Sequence, residues 1–282
     1  MARKKPSRPG SGQQHFSSRG AARGHRNDTP HRSPAAKPIS PNRRGGFGGG
    51  ERPYDYSLYE SEPATREYMS RLFAGCSFAV TPGQLDRFWK YYLLLREHNA
   101  SLDLTRIMGI EATVLKHFVD SAIILEWFEP VGPVLDIGSG PGFPGIPLAI
   151  MRPGVDFLLA ESRGKRVGFL KEVVASLGLK NVEIYPRSVR EDSPLGEDHG
   201  APVGDVVTRA LETIPPTLER ILPFIKPGRR AVFMKGPGCD EEIKASLEAF
   251  PGVYKLAGDH QYNLPTTDQG RRLVIFEKMP LI

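Results

Sequence analysis

From residue 133 onward, short apolar runs alternate with longer stretches whose apolar positions recur every three or four residues. VLDI (134–137), DFLLAE (156–161), VEIY (182–185), DVVT (205–208) and RAVFMK (230–235) read as strands. Short apolar runs bounded by turn residues suit strands covered on both faces. Helical spacing fills the gaps between them. FPGIPLAIM (143–151) can carry a helix, and KRVGFLKEVVASLGL (165–179) turns Val167, Leu170, Val173, Val174 and Leu177 to one side before stopping at Gly178. Pro216 to Phe224 and Asp240 to Phe250 are further helices, with a turn at Pro227-Gly228. VYKLA (253–257) and RLVIFEK (272–278) can pair antiparallel across a polar loop. This alternation predicts an α/β fold: a doubly wound, mostly parallel, seven-stranded Rossmann-like sheet, with ligands at the carboxyl ends of its strands.

The chain before this sheet has a different rhythm. Thr81-Pro-Gly-Gln84 has the form of a capping box with proline at the first helical position. LDRFWKYYLLLREHN (85–99) comes next, with Leu85, Phe88, Trp89, Tyr92 and Leu95 at helical spacing. Glu111 to Phe128 is a second helix, with Val114, Leu115, Phe118, Ala122 and Leu125 on one face and Pro130 closing it. The organisation expected is a disordered basic tail over 1–62, an N-terminal helical extension over 63–130 and the sheet domain over 131–282.

Charge sharpens that division. Residues 1–52 carry twelve of the 38 Lys and Arg and two of the 32 acids, so this stretch is +10 and the remainder −4. The tail is rich in Gly, Ser, Pro and Arg and cannot bury enough surface to offset its ordering entropy. Such an arm can hold polyanions weakly through counterion release, whereas the folded part needs a local basic patch to do so. Cys76 and Cys239 fit no metal-ligand spacing, so no metal is expected. No run approaches the roughly 18 apolar residues of a membrane span, and no apolar stretch comes after the basic start. A reduced cytoplasm is the expected location, a monomer the expected state, and no membrane partner is anticipated.

The densest signal is VLDIGSGPGFPGIPL (134–148). A dinucleotide turn needs Gly-x-Gly-x-x-Gly, and after Gly138 and Gly140 the third glycine belongs at Phe143. The chain has Asp136-x-Gly138-x-Gly140-x-Gly142 instead. A carboxylate beside the turn disfavours a pyrophosphate and suits a ligand with a cationic end. S-adenosylmethionine carries a sulfonium and an α-amino group, and glycines let the chain pass close to its amino-acid part. Glu161, at the end of the second strand, can accept the ribose hydroxyls. This cofactor is therefore favoured over NAD.

The residues after the fourth strand bear on the transfer site. Methyltransferases of exocyclic amines commonly place Asn/Asp-Pro-Pro-Tyr/Phe there; this chain has Asp205-Val-Val-Thr-Arg-Ala-Leu211. Neither cysteine is placed as a pyrimidine nucleophile. An acceptor that needs no base fits, and the N7 lone pair of guanine is one. Catalysis then reduces to alignment and charge complementarity, with Arg209 at the mouth of the cleft as candidate and His117 as a further substrate-facing candidate.

VLDIGSGPGFPGIPLAIMRP, ESRGKRVGFLKEV, VVTRALETIPPTLERILPFIKPGRRAVFMKG and the earlier SLDLTRIMGIEATVLKHFVDS together resemble the ribosomal RNA small subunit methyltransferase G family, also called glucose-inhibited division protein B. The resemblance covers about residues 80–278 and leaves out the basic tail. It implies S-adenosylmethionine-dependent methylation of guanine N7 in the decoding-region loop of 16S rRNA, with small-subunit rRNA or the 30S subunit as partner. It places cofactor contacts at Gly138, Phe143, the Val189–Arg190 backbone and Arg209, beside the glycine-turn residues Asp136, Gly140 and Gly142 and the acidic Glu161. Asp103 replaces the family's Asn, Thr208 its Ser, and Arg190 stands where an acid is common. Candidate RNA contacts are Arg163, Lys165, Arg166, Lys235, Arg271 and Arg272. Two other readings are a methyltransferase for a small-molecule or protein acceptor, and a non-catalytic RNA-binding assembly factor. The intact glycine turn and Glu161 weigh against the second.

Overall fold

Seven strands form where the apolar runs lie. The computed structural model describes residues 62–107, 109–190, 193, 195 and 203–280, so all but the last residue of the expected basic tail lies outside the described residues. The strands are β1 (Val134–Ile137), β2 (Phe157–Ala160), β3 (Val182–Tyr185), β4 (Val206–Arg209), β5 (Arg230–Lys235), β6 (Tyr254–Asn263) and β7 (Gly270–Lys278). They make one sheet in the order β3-β2-β1-β4-β5-β7-β6. β1 to β5 run parallel, and β7 lies antiparallel to both β5 and β6. The interior strands β1 and β2 are buried along their whole length, which is why they read as apolar runs broken only by Asp136. The strand order reverses between β1 and β4, the position at which doubly wound sheets open a crevice at their carboxyl ends.

β6 is ten residues long, twice the expected VYKLA run. Its added half, ending DHQYN, is polar because it forms the sheet's edge, where backbone pairing to β7 rather than burial holds it. A register shift between Leu256 and Gly258 marks where it bends.

The helical piece begins with α1 (Arg66–Ala74), which the apolar pattern alone does not separate as an element. Thr65 caps it by accepting from the Tyr68 amide, and Tyr68, Met69 and Phe73 are its buried residues. α2 (Pro82–Leu102) carries the expected capping box and ends where Asp103 takes a left-handed conformation. It buries Leu85, Phe88, Tyr91, Tyr92 and Leu95, while Trp89 is only half-buried.

The second predicted helix is not a regular α-helix. It runs as α3 (Ile110–Thr113), a π-helical turn (Val114–Val119), α4 (Asp120–Ala122) and a 3-10 turn (Ile123–Glu126). It is buried nearly all round, including the polar side chains of His117, Asp120 and Ser121. A π turn re-aims consecutive side chains and is found at functional sites. The remaining helices are α5 (Gly145–Met151), α6 (Gly164–Leu177), α7 (Ile214–Ile221) and α8 (Asp240–Ala249). One apolar core joins α1, α2 and the irregular helix to α5, α6 and one face of the sheet; a second core packs α7 and α8 on the other face.

Candidate active site

β1 delivers the chain into the glycine turn. Gly138, Gly140 and Gly142 have φ values of 71°, 59° and 113°, a region that side chains other than glycine's seldom adopt. The turn's amides are spent internally. Gly138 and Ser139 donate to the Ala160 carbonyl at 3.0 and 3.1 Å, and Gly142 and Phe143 donate to the Ser139 carbonyl at 2.8 and 2.9 Å. Gly145 donates to Oδ2 of Asp136 at 2.9 Å, and Ile146 to the Gly142 carbonyl at 2.8 Å. Pro141, Pro144 and Pro147 have no amide to offer. Few donors remain to cradle a phosphate.

Asp136 is fully buried beneath this turn. Burial pushes its carboxyl up to about 7, opposed mainly by the Gly145 amide. Its Oδ1 has no hydrogen-bond partner among the described residues.

Two cavities open at the carboxyl ends of the strands. The first, of about 340 Å³, is lined by Ile137, Gly138, Glu161, Arg166, Val189 and Leu211, among others. Glu161 is buried at the end of β2; Oε1 accepts from the Arg163 amide at 2.8 Å, and Oε2 lies 3.8 Å from Nη1 of Arg166. Arg190, expected beside Val189, is not brought in. Its amide donates to Ser193 Oγ at 2.7 Å, its carbonyl accepts from the Ser193 amide, and its side chain is exposed.

The second cavity, of about 370 Å³, is lined by Lys116, His117, Asp120, Arg209, Lys235 and Arg271, with Ala210 as a wall common to both cavities. Ala210 has a φ of 54°, a costly conformation for a residue with a Cβ. Arg209 leaves β4 into a dense set of partners. It donates to the Lys116 carbonyl at 3.0 Å, to Oδ2 of Asp120 at 3.3 Å and to Nδ1 of His117 at 3.0 Å. Its guanidinium lies 5.1 Å from the centroid of the Phe143 ring, against which His117 stacks at 4.3 Å. Burial lowers the pKa of Arg209, opposed by the charge of Asp120. Burial, then the Arg209 charge, pushes the His117 imidazole well below its ordinary range.

Asp120 gathers this cluster. Besides Arg209 it accepts from the Tyr262 hydroxyl at 3.2 Å and from Nε of Arg271 at 3.5 Å. Sequence reasoning passed over Asp120, Thr105, Tyr262, Lys116 and Tyr91. Thr105, His117 and Asp120 all lie in the segment LTRIMGIEATVLKHFVDS, so the signal was present as a motif but not as a set of contacts. Tyr91 donates to the Pro141 carbonyl at 2.6 Å, tying α2 to the glycine turn.

The expected RNA contacts separate into three groups. Arg163 and Lys165 are exposed at the start of α6, where Arg163 also lines the first cavity. Arg166, Lys235 and Arg271 line the cavities, Lys235 also pairing with Glu242 at 2.8 Å. Arg272 is a correction: it is buried, and Asp240, Asp259 and the Pro237 carbonyl take up its guanidinium, so it anchors β7 instead of facing a ligand. No cluster of three or more His, Cys, Asp or Glu able to hold a metal occurs among the described residues, and no helix among them is long and apolar enough to cross a membrane.

A sheet of this order, with a glycine turn after β1 and an acid after β2, defines the Rossmann-like methyltransferase fold. Residues 84–274 match the family described as GidB: rRNA small subunit methyltransferase G. The chain belongs to that family. A relative named ribosomal RNA small subunit methyltransferase G 2, from Syntrophobacter fumaroxidans, is 42% identical over 211 residues, covering 75% of this chain but only 41% of its own length. The protein of the same name from Bdellovibrio bacteriovorus is 40% identical, over 72% of this chain and 78% of its own. The ribosomal RNA small subunit methyltransferase G of Desulforamulus reducens is 39% identical, over 72% of this chain and 85% of its own.

Proposed function

We propose that this chain uses S-adenosylmethionine to methylate N7 of a guanine in the decoding-region loop of small-subunit rRNA. The observation that carries this reading is the meeting of two cavities at Ala210, one holding the Glu161 carboxylate and the other ringed by Lys116, Arg209, Lys235 and Arg271. The first fits the cofactor. Glu161 has acceptor capacity for ribose hydroxyls, the turn's amides are already used and so disfavour a pyrophosphate, and the Asp136 carboxyl, its Oδ1 unpartnered among the described residues, supplies negative potential for a cationic end once ionised. When bound, S-adenosylmethionine supplies a methyl group on an electron-poor sulfur.

The residues of the second cavity act by position. His117 and Asp120 are both committed to hydrogen bonds, so neither is free to serve as general base. An acceptor nitrogen that loses no proton suits such a site, because the chain then has only to orient the base and exclude water. Arg209, held over the Phe143 ring next to Ala210, keeps a fixed positive charge beside the boundary of the two cavities.

Methyl transfer from labelled S-adenosylmethionine to small ribosomal subunits lacking N7-methylguanine, with nucleoside analysis of the digested rRNA, tests the proposal. A single labelled N7-methylguanosine is expected. Label in another nucleoside, or in protein, would overturn it.

A further inference from the structure

The second cavity holds more positive charge than its own carboxylate balances. Arg209 and Asp120 neutralise each other at 3.3 Å, and His117 is neutral. Lys235 is balanced by Glu242. Two cations are left over. Arg271 reaches Asp120 only at 3.5 Å, through a carboxylate already occupied by Arg209 and Tyr262. Lys116 has no side-chain partner among the described residues; it is the carbonyl of Lys116, not its ammonium, that Arg209 binds. The two come from different elements, the π turn and the start of β7, and converge on one cavity. This local excess sits in a chain whose residues after 52 are net negative.

A cation that read the guanine edge by its usual bidentate contact would cover O6 and N7, and so block the lone pair that the reaction needs. The surplus charge therefore suits another part of the nucleotide. Phosphate contacts fix position and register, whereas base contacts select sequence. Resting on the function proposed above, we infer that Lys116 and Arg271 bind the backbone phosphate of the target nucleotide, with Lys235 beside them, so that the RNA is anchored at the reacting nucleotide itself.

Binding, measured without methyl transfer, separates this inference from the activity on which it rests. Calorimetry on the full chain at low salt is expected to give at least about tenfold tighter binding of guanosine 5′-monophosphate than of guanosine, since a phosphate paired with two cations adds charge-assisted hydrogen bonds. Lys116→Gln should reduce that preference and Lys116→Gln/Arg271→Gln abolish it, with S-adenosylmethionine affinity unchanged. The single variant removes no contact within the fold, so its loss of preference is not a loss of folding. For a short single-stranded RNA containing guanine, the double variant should lower the slope of log affinity against log salt by about 0.7, the value of one neutralised phosphate. Equal affinity for nucleoside and nucleotide would overturn the inference. A nucleotide preference with an unchanged RNA slope would assign the cavity to free nucleotides and overturn it also.

Discussion

Nη2 of Arg209 donates to Nδ1 of His117 at 3.0 Å, and this one bond sets the protonation state of the imidazole. A guanidinium can only donate, so Nδ1 is the accepting nitrogen and the proton sits on Nε2, which lies 2.9 Å from Thr105 Oγ1. Thr105 Oγ1 also accepts from the Ile107 amide at 3.0 Å, which fixes the loop that carries it. A cationic imidazole would face a cation, and burial adds to the penalty.

That lock makes a prediction about protonation. Nitrogen chemical shifts of His117 should report the neutral Nε2–H form at pH 6.5, where a free imidazole is half protonated. The unfolded chain binds a proton near pH 6.5 that the folded chain refuses. His117 therefore makes the fold lose stability as pH falls below about 6.5, and His117→Gln should flatten that loss in denaturant titrations. An unchanged acid slope in the variant would show that His117 is not held neutral.

Asp120 and Arg209 are a buried pair with additional partners. Removing the carboxylate leaves a buried guanidinium, and Asp120→Ala should cost about 3 kcal/mol or more. Arg209→Ala should cost a similar amount by leaving the carboxylate with Arg271 and Tyr262 alone. The double variant should cost less than the sum, with a coupling of order 1–3 kcal/mol. Additive losses in chemical denaturation would contradict the contact.

The three turn glycines have separate roles, and substitution distinguishes two of them. A Cβ at Gly142 would meet the Tyr91 hydroxyl at 2.6 Å and Ile146 Cγ1 at 2.7 Å, at a φ of 113°. Gly142→Ala should destabilise the fold by about 3 kcal/mol, combining overpacking with backbone strain. A Cβ at Gly138 would meet Leu211 Cδ1 at 2.7 Å, the end of a side chain that is 39% exposed and can move. Gly138→Ala, strained at a φ of 71° but able to displace Leu211, should cost about 1 kcal/mol, less than Gly142→Ala, and lose S-adenosylmethionine affinity, because the displaced side chain lines the same cavity. Equal thermal shifts for the two variants would refute this division.

Much of this architecture was legible in the sequence, and the gaps have physical causes. Strands buried on both faces announce themselves as apolar runs, and the Thr81-Pro-Gly-Gln84 cap is local chemistry that needs no partner. The polar half of β6 carries no such mark, since an edge strand is held by backbone pairing. Glycine-turn residues and Glu161 were legible because each is set by the element it ends. Asp120, Tyr262 and Thr105 were not, because their roles exist only once the loop carrying Thr105 meets the π turn and α4 meets β6 and β7. Arg272 misled for the converse reason: a charged side chain is taken as exposed unless its partners, here Asp240 and Asp259, are known.

The buried Asp136 carboxyl makes a prediction about the pH dependence of cofactor binding. It is pushed up to about 7 by burial, so the folded chain keeps a proton that the unfolded chain has released. Stability contributed by this proton is present at low pH and is lost as pH rises from about 4 through about 7. A cation bound beyond the glycine turn favours the ionised carboxylate. S-adenosylmethionine, with its sulfonium and ammonium charges, should then bind more tightly as pH rises from 6 to 8 and release protons as it binds. Asp136→Asn retains an oxygen for the Gly145 amide, so the fold should persist while the pH dependence flattens. Calorimetry in buffers of different ionisation enthalpy reads the proton release directly. A release that persists in Asp136→Asn would place the titrating group elsewhere, and a wild-type affinity independent of pH across this range would mean that the carboxylate does not sense the cofactor's charge.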